Sequence, residues 1–201
     1  MNALLALSRA IDRMNEIIGK VVGYAILVAI LVSAVNAIVR KVLNTSSNSW
    51  LELQWYLFGA AFLGAAAYTL KQGEHVRIDI VYARWSRRVQ HWIDLLGHLL
   101  FLMPFCLLML YYLWPWAMRS LCIGQNEFCR IEVSTNAGGL VLWPAKLLLV
   151  GGFFLLSLQG VSEIIKKIAV MLGLMEDPNP FISSHEAAEA EAKALIEEIK
   201  Q

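Results

Sequence analysis

The stretch VVGYAILVAILVSAVNAIV, residues 21–39, carries no charged side chain over nineteen positions. An α-helix rises about 1.5 Å per residue, so about 20 apolar residues cross the roughly 30 Å hydrocarbon core of a bilayer. Three more stretches meet the same requirement, placing predicted helices at 19–39, 51–70, 95–117 and 140–162. The expected fold is all-α, an integral membrane protein with four transmembrane helices. Composition agrees: of 201 residues 58% are hydrophobic and 16% charged, against about 25% charged in a soluble domain. The opening MNALLALSRAIDRMNEIIGK includes Asp12 and Glu16 and lacks the small-residue cleavage site of a secretory signal, so helix one is expected to be retained. A net charge of +1, with no basic stripe apart from the apolar segments, gives no support to nucleic-acid binding.

Basic residues set the orientation. Arg9, Arg13, Lys20, Lys71, Arg77, Arg84, Arg87, Arg88, Lys166 and Lys167 fall on one side, and only Arg40, Lys41, Arg119 and Arg130 on the other. Lys and Arg accumulate on the cytoplasmic side, so both termini are expected there. Trp50, Trp55, Trp114, Trp116 and Trp143 lie near the outer helix ends, where indole rings favour the headgroup layer.

Between helices two and three, VYARWSRRVQHWIDLL at 81–96 sets Trp85, Val89, Trp92, Ile93 and Leu96 opposite Arg84, Arg87, Arg88 and Gln90. That spacing predicts an amphipathic helix in the cytoplasmic interface, anchored by Trp85, Arg87, Arg88 and Trp92. A plain basic loop is the alternative. The four-helix domain is expected over 1–172. Beyond it, EDPNP at 176–180 breaks the helical path and Ser183 and Glu186 are spaced as a capping box. Residues 173–201 are thus expected to form a mobile, acidic cytoplasmic tail with a marginal helix.

Helix one carries Ala25, Ala29, Ser33 and Ala37 at four-residue spacing, and helix two carries Ala60 and Gly64. Small residues let helix backbones approach closely in lipid, either within the four helices or against another subunit. Ser49 and Glu52 are spaced as a capping box at the outer start of helix two. Lys146 lies within two turns of the outer end of helix four and can snorkel, and Asn36 suits interhelical glue. Cys122 and Cys129 share the outer loop, where an oxidising compartment permits pairing; two free thiols are the alternative. Pro104 and Pro115 invite bends in helix three.

Of His75, His91, His98 and His185 only His98 falls within a predicted span, whereas a membrane haem needs two facing axial ligands. No Ser, His and Asp set, paired intramembrane carboxylates, phosphate-cradling loop or metal-ligand spacing is legible. No cofactor and no catalysis are expected.

Three stretches, ELQWYLFGAAFLGAAAYTLKQGEHVRIDIVY at 52–82, EVSTNAGGLVLWPAK at 132–146 and GGFFLLSLQGVSEIIKKIA at 151–169, carry a family likeness. Together, over about 10–172, they resemble the DctQ-like small membrane subunit of tripartite ATP-independent periplasmic (TRAP) transporters. Gly64, Gly73, His75, Val76, Arg77 and Asp79, followed by Trp143, Pro144 and Lys146, are its most specific residues. The resemblance implies a bacterial inner-membrane complex in which a large, DctM-like subunit carries solute and ions and a periplasmic binding protein delivers the solute. The small subunit is expected to brace the large one. Gly73, His75, Arg77 and Asp79 then become candidate contacts to the large subunit, alongside the simpler reading of a helix end and polar turn. Arg119, Glu127, Arg130 and Glu132 are candidates to meet the binding protein, or plain solvated loop charges. Two other classes stay open: a cytochrome-like electron-transfer subunit and a self-assembling membrane scaffold.

Overall fold

The structure, a computed structural model, describes residues 2–44, 47–73, 84–122 and 131–178. His75, Arg77, Asp79, Glu127, Cys129, Arg130 and the tail helix expected at Ser183 lie outside the described residues.

Helix α1 spans Asn2–Leu43, starting well before the predicted position 19. Nothing in SRAIDRMNE breaks a helix, and the polar face of that segment finds a partner described below. The helix stops at Asn44, whose φ of 50° is left-handed, a conformation asparagine tolerates better than most residues. Helix α2 spans Asn48–Gln72 and closes on Gly73, whose φ of 72° lets its N–H reach the Leu70 carbonyl at 3.1 Å. A residue without Cβ adopts that turn freely.

Helix α3, Arg87–Leu96, runs without interruption into a wider π-helical turn, Gly97–Leu102, and then into α4, Met103–Ser120. In that turn the Met103 N–H bonds to the His98 carbonyl five residues back. The turn lies immediately before Pro104, whose ring crowds the preceding turn and whose nitrogen cannot donate, so the widening absorbs the misfit. Pro115 sits inside α4 without ending it. Helix α5, Trp143–Met171, begins with Pro144 in its first turn, where a missing N–H is harmless, and runs past the predicted end at 162. Among the described residues there is no strand, only an isolated bridge between Val133 and Val141.

Helix α5 is the hub. It packs on α1, α2, α3 and α4, while α1 and α2 also pack on each other. Paired contacts fix the directions: Gly19 faces Tyr68 and Gly64 faces Val22, so α1 and α2 are antiparallel. Gly152 faces Leu63, and both α2 and α5 begin near the 134–141 segment, so these two run the same way. Phe105 meets Phe153 edge-on at 5.9 Å and Gly160 faces Met103, making α4 antiparallel to α5. A Cβ on Gly19 would lie 2.6 Å from Tyr68 Cβ, and one on Gly152 2.7 Å from Leu63 Cβ. Lipid tails supply no hydrophobic drive between helices, and such backbone approach supplies dispersion contact instead.

Ala3–Leu43, Arg87–Ser120 and Trp143–Met171 are helices long and apolar enough to cross a membrane. Helix α2 has 25 residues, about 37 Å at the helical rise, but Glu52, Gln54 and its glycines dilute its apolar character. The outward faces of all four are lined by large apolar side chains, among them Leu31, Val35, Phe58, Phe62, Phe101 and Phe154.

Candidate functional site

Two polar assemblies hold the helices at their opposite ends. At the first, residues 131–142 fold into a strap. Ser134 N–H donates to the Leu140 carbonyl at 2.9 Å and Leu142 N–H to the Glu132 carbonyl at 3.0 Å. Gly138 turns the strap with φ of 71°. Helix α2 grips it: Glu52, 4% exposed, accepts from the Ser134 hydroxyl, from Asn136 Nδ2 at 2.8 Å and from Leu140 N–H at 2.6 Å. Asn48 Nδ2 donates to the Ala137 carbonyl at 3.0 Å, Ser49 to the Gly138 carbonyl, and Tyr56 to the Val141 carbonyl at 3.0 Å.

The expected capping box is therefore corrected. Ser47, not Ser49, occupies the N-cap position and makes no side-chain cap bond. Ser49 and Glu52, both on the α2 face turned to the strap, spend their hydrogen bonds there. Lys146 is corrected too: it does not snorkel to water but is buried, donating to Glu132, with Nζ 4.3 Å from the centre of the Trp116 ring. Ser120 also donates to Glu132. Lys146 first and Ser120 second hold the Glu132 carboxyl below the usual carboxylate range.

At the opposite end α1 and α5 meet along a buried polar seam. Ser8, Asp12 and Asn15 stand at spacings of four and three on α1, facing Gln159, Ser162, Glu163 and Lys166 on α5. The hydroxyls of Ser8 and Ser162 lie 2.7 Å apart, and Asn15 Nδ2 donates to Gln159 Oε1 at 2.7 Å. Gln159 Nε2 donates to both Asp12 Oδ1 and Glu163 Oε1 at 2.8 Å. Lys166 Nζ reaches Glu163 at 2.6 Å and Asp12 at 3.1 Å. Beside the seam, Glu16 joins Lys20 at 2.6 Å and Lys71 at 2.7 Å, tying α1 to α2. Lys167 joins Asp94 at 3.1 Å and Asp177 at 3.2 Å, tying α5 to α3 and to the chain after α5.

The seam is not legible from a helix four that ends at 162, because the polar stripe on α5 continues to Lys166 within Trp143–Met171. The signal was available in 159, 162, 163 and 166, which share one face of a continued helix, opposite 8, 12 and 15 on another.

The small-residue stripe divides. Ala29 is buried and Ala25 and Ser33 half-buried, but Ala37 is exposed. Gly64 is buried against Val22 within the chain, and Ala60 is half-buried. Gly73 is the helix end described above. On α3 the apolar side chains Trp92, Ile93 and Leu96 face outward, as does Trp85 just before the helix, while Gln90 and Asp94, polar by nature, are buried. Arg87, Arg88 and Arg119 are exposed, and Trp143 opens α5 half-buried. Cys122 is disulfide-bonded and Cys106 is free and buried. The Asn36 side chain makes no hydrogen bond among the described residues. His98 Nδ1 lies 2.6 Å from the Asp94 carbonyl. Among the described residues no group of three His, Cys, Asp or Glu is placed to hold a metal.

Residues 28–170 match the family model described as tripartite ATP-independent periplasmic transporters, DctQ component. The comparisons with curated proteins and with solved structures each gave no match.

Proposed function

The chain belongs to the DctQ family, a component of tripartite ATP-independent periplasmic transporters, and from that premise we propose that it is the small scaffold subunit that braces the large, DctM-like membrane subunit. The large subunit takes up a small organic solute, a carboxylate by our reading, from a periplasmic binding protein and is driven by a sodium or other ion gradient. The small subunit performs no catalysis and carries no solute. One observation supports the bracing role above others. Among the described residues each buried charged side chain, Glu52, Asp94, Lys146, Glu163, Lys166 and Lys167, is engaged by groups of this same chain. A removed partner would leave an uncompensated buried charge, so these contacts oppose relative movement of the helices.

In this reading α2 is the fourth span. Helices α1 and α4 run one way and α2 and α5 the other, and a chain that crosses as α1 must return before crossing again as α4. Residues 1–172 form the transmembrane domain, 173–201 the cytoplasmic tail, and both termini are cytoplasmic in the bacterial inner membrane. The exposed indoles of Trp85 and Trp92 favour an interfacial position for the start of α3, with Arg87 and Arg88 at the headgroups. The strap, with exposed Ile131, Val133 and Val141, faces the periplasm and is the surface offered to the binding protein. Cys122 pairs with Cys129 there. Arg77 and Asp79 contact the large subunit.

Co-expression with a tagged large subunit is the test. The expected result is a stable pair whose reconstituted transport requires both chains and the binding protein; transport by this chain alone in vesicles would sink the proposal.

A further inference from the structure

Helices α1 and α2 touch where Gly19 and Gly64 permit it, whereas a Cβ at Gly59, further towards Asn48, would meet nothing within 4 Å. The space between them is an open groove of about 750 Å³, walled by Ala29, Ile30, Ala34, Phe58 and Gly59. Through Ser33, Ala37 and Gln54 it continues into a recess of about 430 Å³ lined by Asn36, Arg40, Lys41 and Asn44. We propose that this groove binds one phospholipid, its phosphate at Arg40 and Lys41 and one acyl chain along Ala29, Ile30 and Phe58.

The order of side chains along the groove is the order of chemistry along a phospholipid. At the mouth, Arg40 and Lys41 are exposed and form no ion pair among the described residues. Guanidinium and ammonium groups at a membrane surface recognise phosphate by charge-assisted hydrogen bonds. One turn deeper, the amides of Asn36 and Gln54 make no hydrogen bond among the described residues. An amide left without a partner next to hydrocarbon is costly, and the ester carbonyls of a phospholipid lie at that level and accept from Asn36 Nδ2 and Gln54 Nε2. Deeper still the walls are apolar. From Arg40 to Ala29 is about 16 Å along the helix, and one leaflet of the hydrocarbon core is about 15 Å. A purely apolar transmembrane helix would fill the walls but leave two cations and two amides unmatched. The inference rests on α1 and α2 being membrane helices and not on the transporter role.

The test is native mass spectrometry of the delipidated full chain with phosphatidylglycerol added. A one-to-one adduct is expected. Its occupancy should fall about tenfold in Arg40→Gln with Lys41→Gln, as loss of charged hydrogen bonds implies. It should fall similarly in Gly59→Leu, where open space receives the new side chain. Arg84→Gln with Arg88→Gln, at the other end of the molecule, should leave it unchanged. Equal adducts in all variants would overturn the proposal, as would displacement by excess inorganic phosphate. Capture of a transmembrane segment of the large subunit by a photocrosslinker at Ala37, with no adduct formed, would also overturn it and mark the groove as a helix seat.

Discussion

Glu132 and Lys146 illustrate how single residues decide the strap end of the molecule. The Glu132 carboxyl titrates below its ordinary value when folded, so its contribution is present in full above the unfolded pKa of about 4.3 and is lost as pH falls through the folded one. Amide exchange of residues 131–142 should therefore rise on acidification below about pH 4, and Glu132→Gln should flatten that dependence. Glycines make a sharper contrast. Gly19→Ala places a methyl 2.6 Å from Tyr68 Cβ and should lower stability by about 1–3 kcal/mol. Gly23→Ala meets nothing within 4 Å and should be neutral or raise stability by up to about 1 kcal/mol. Thermal unfolding in detergent separates the two. The residue types at the strap end were legible in sequence, but their partners were not. Ser49 and Glu52 have the spacing of a local cap, and nothing local announces that Glu52 binds a strap more than 80 residues away.

At the scale of elements, the apolar runs located the helices and the polar residues set their true lengths. The hydrocarbon-spanning part of α1 was readable because no charge interrupts 21–39. Its extension back to Asn2 was not, since a marginal amphiphilic helix forms only when another element satisfies its polar face. Here α5 does so. Lys166→Met would leave Asp12 and Glu163 close together without their cation and should lower stability by about 3–5 kcal/mol. Adding Asp12→Asn and Glu163→Gln should recover much of that loss. Limited proteolysis before residue 17, together with thermal unfolding, reads both effects. The wide turn at Gly97–Leu102 belongs to this scale too: Pro104 foretold a disturbance in helix three, but not that the helix would relax by widening and continue.

For the molecule as a whole, the alternation of helix directions, together with the excess of Lys and Arg at the end that holds Arg9, Arg13 and Lys166, predicts sidedness. A cysteine at Asn136 in the strap should react with a membrane-impermeant maleimide from the periplasm, and one at Leu174 only after the membrane is opened; the reverse pattern would invert the proposed topology. The three family-like stretches coincide with most of the strap, with Glu52 and Tyr56 of the α2 face that grips it, and with the α5 half of the seam. The α1 half, Ser8 to Asn15, lies outside them. That seam joins residues 154 positions apart, Ser8 with Ser162. At synthesis rates of about 5–20 residues per second, roughly 8 to 30 s separate the emergence of its two halves. Throughout that interval Asp12 has no Lys166 to meet, so the first helix must enter the bilayer and wait beside α2 alone. Assembly of this subunit is thus completed only as the last helix leaves the insertion machinery, and any chain truncated before Gln159 should be left open and be recognised by membrane proteases as unfinished.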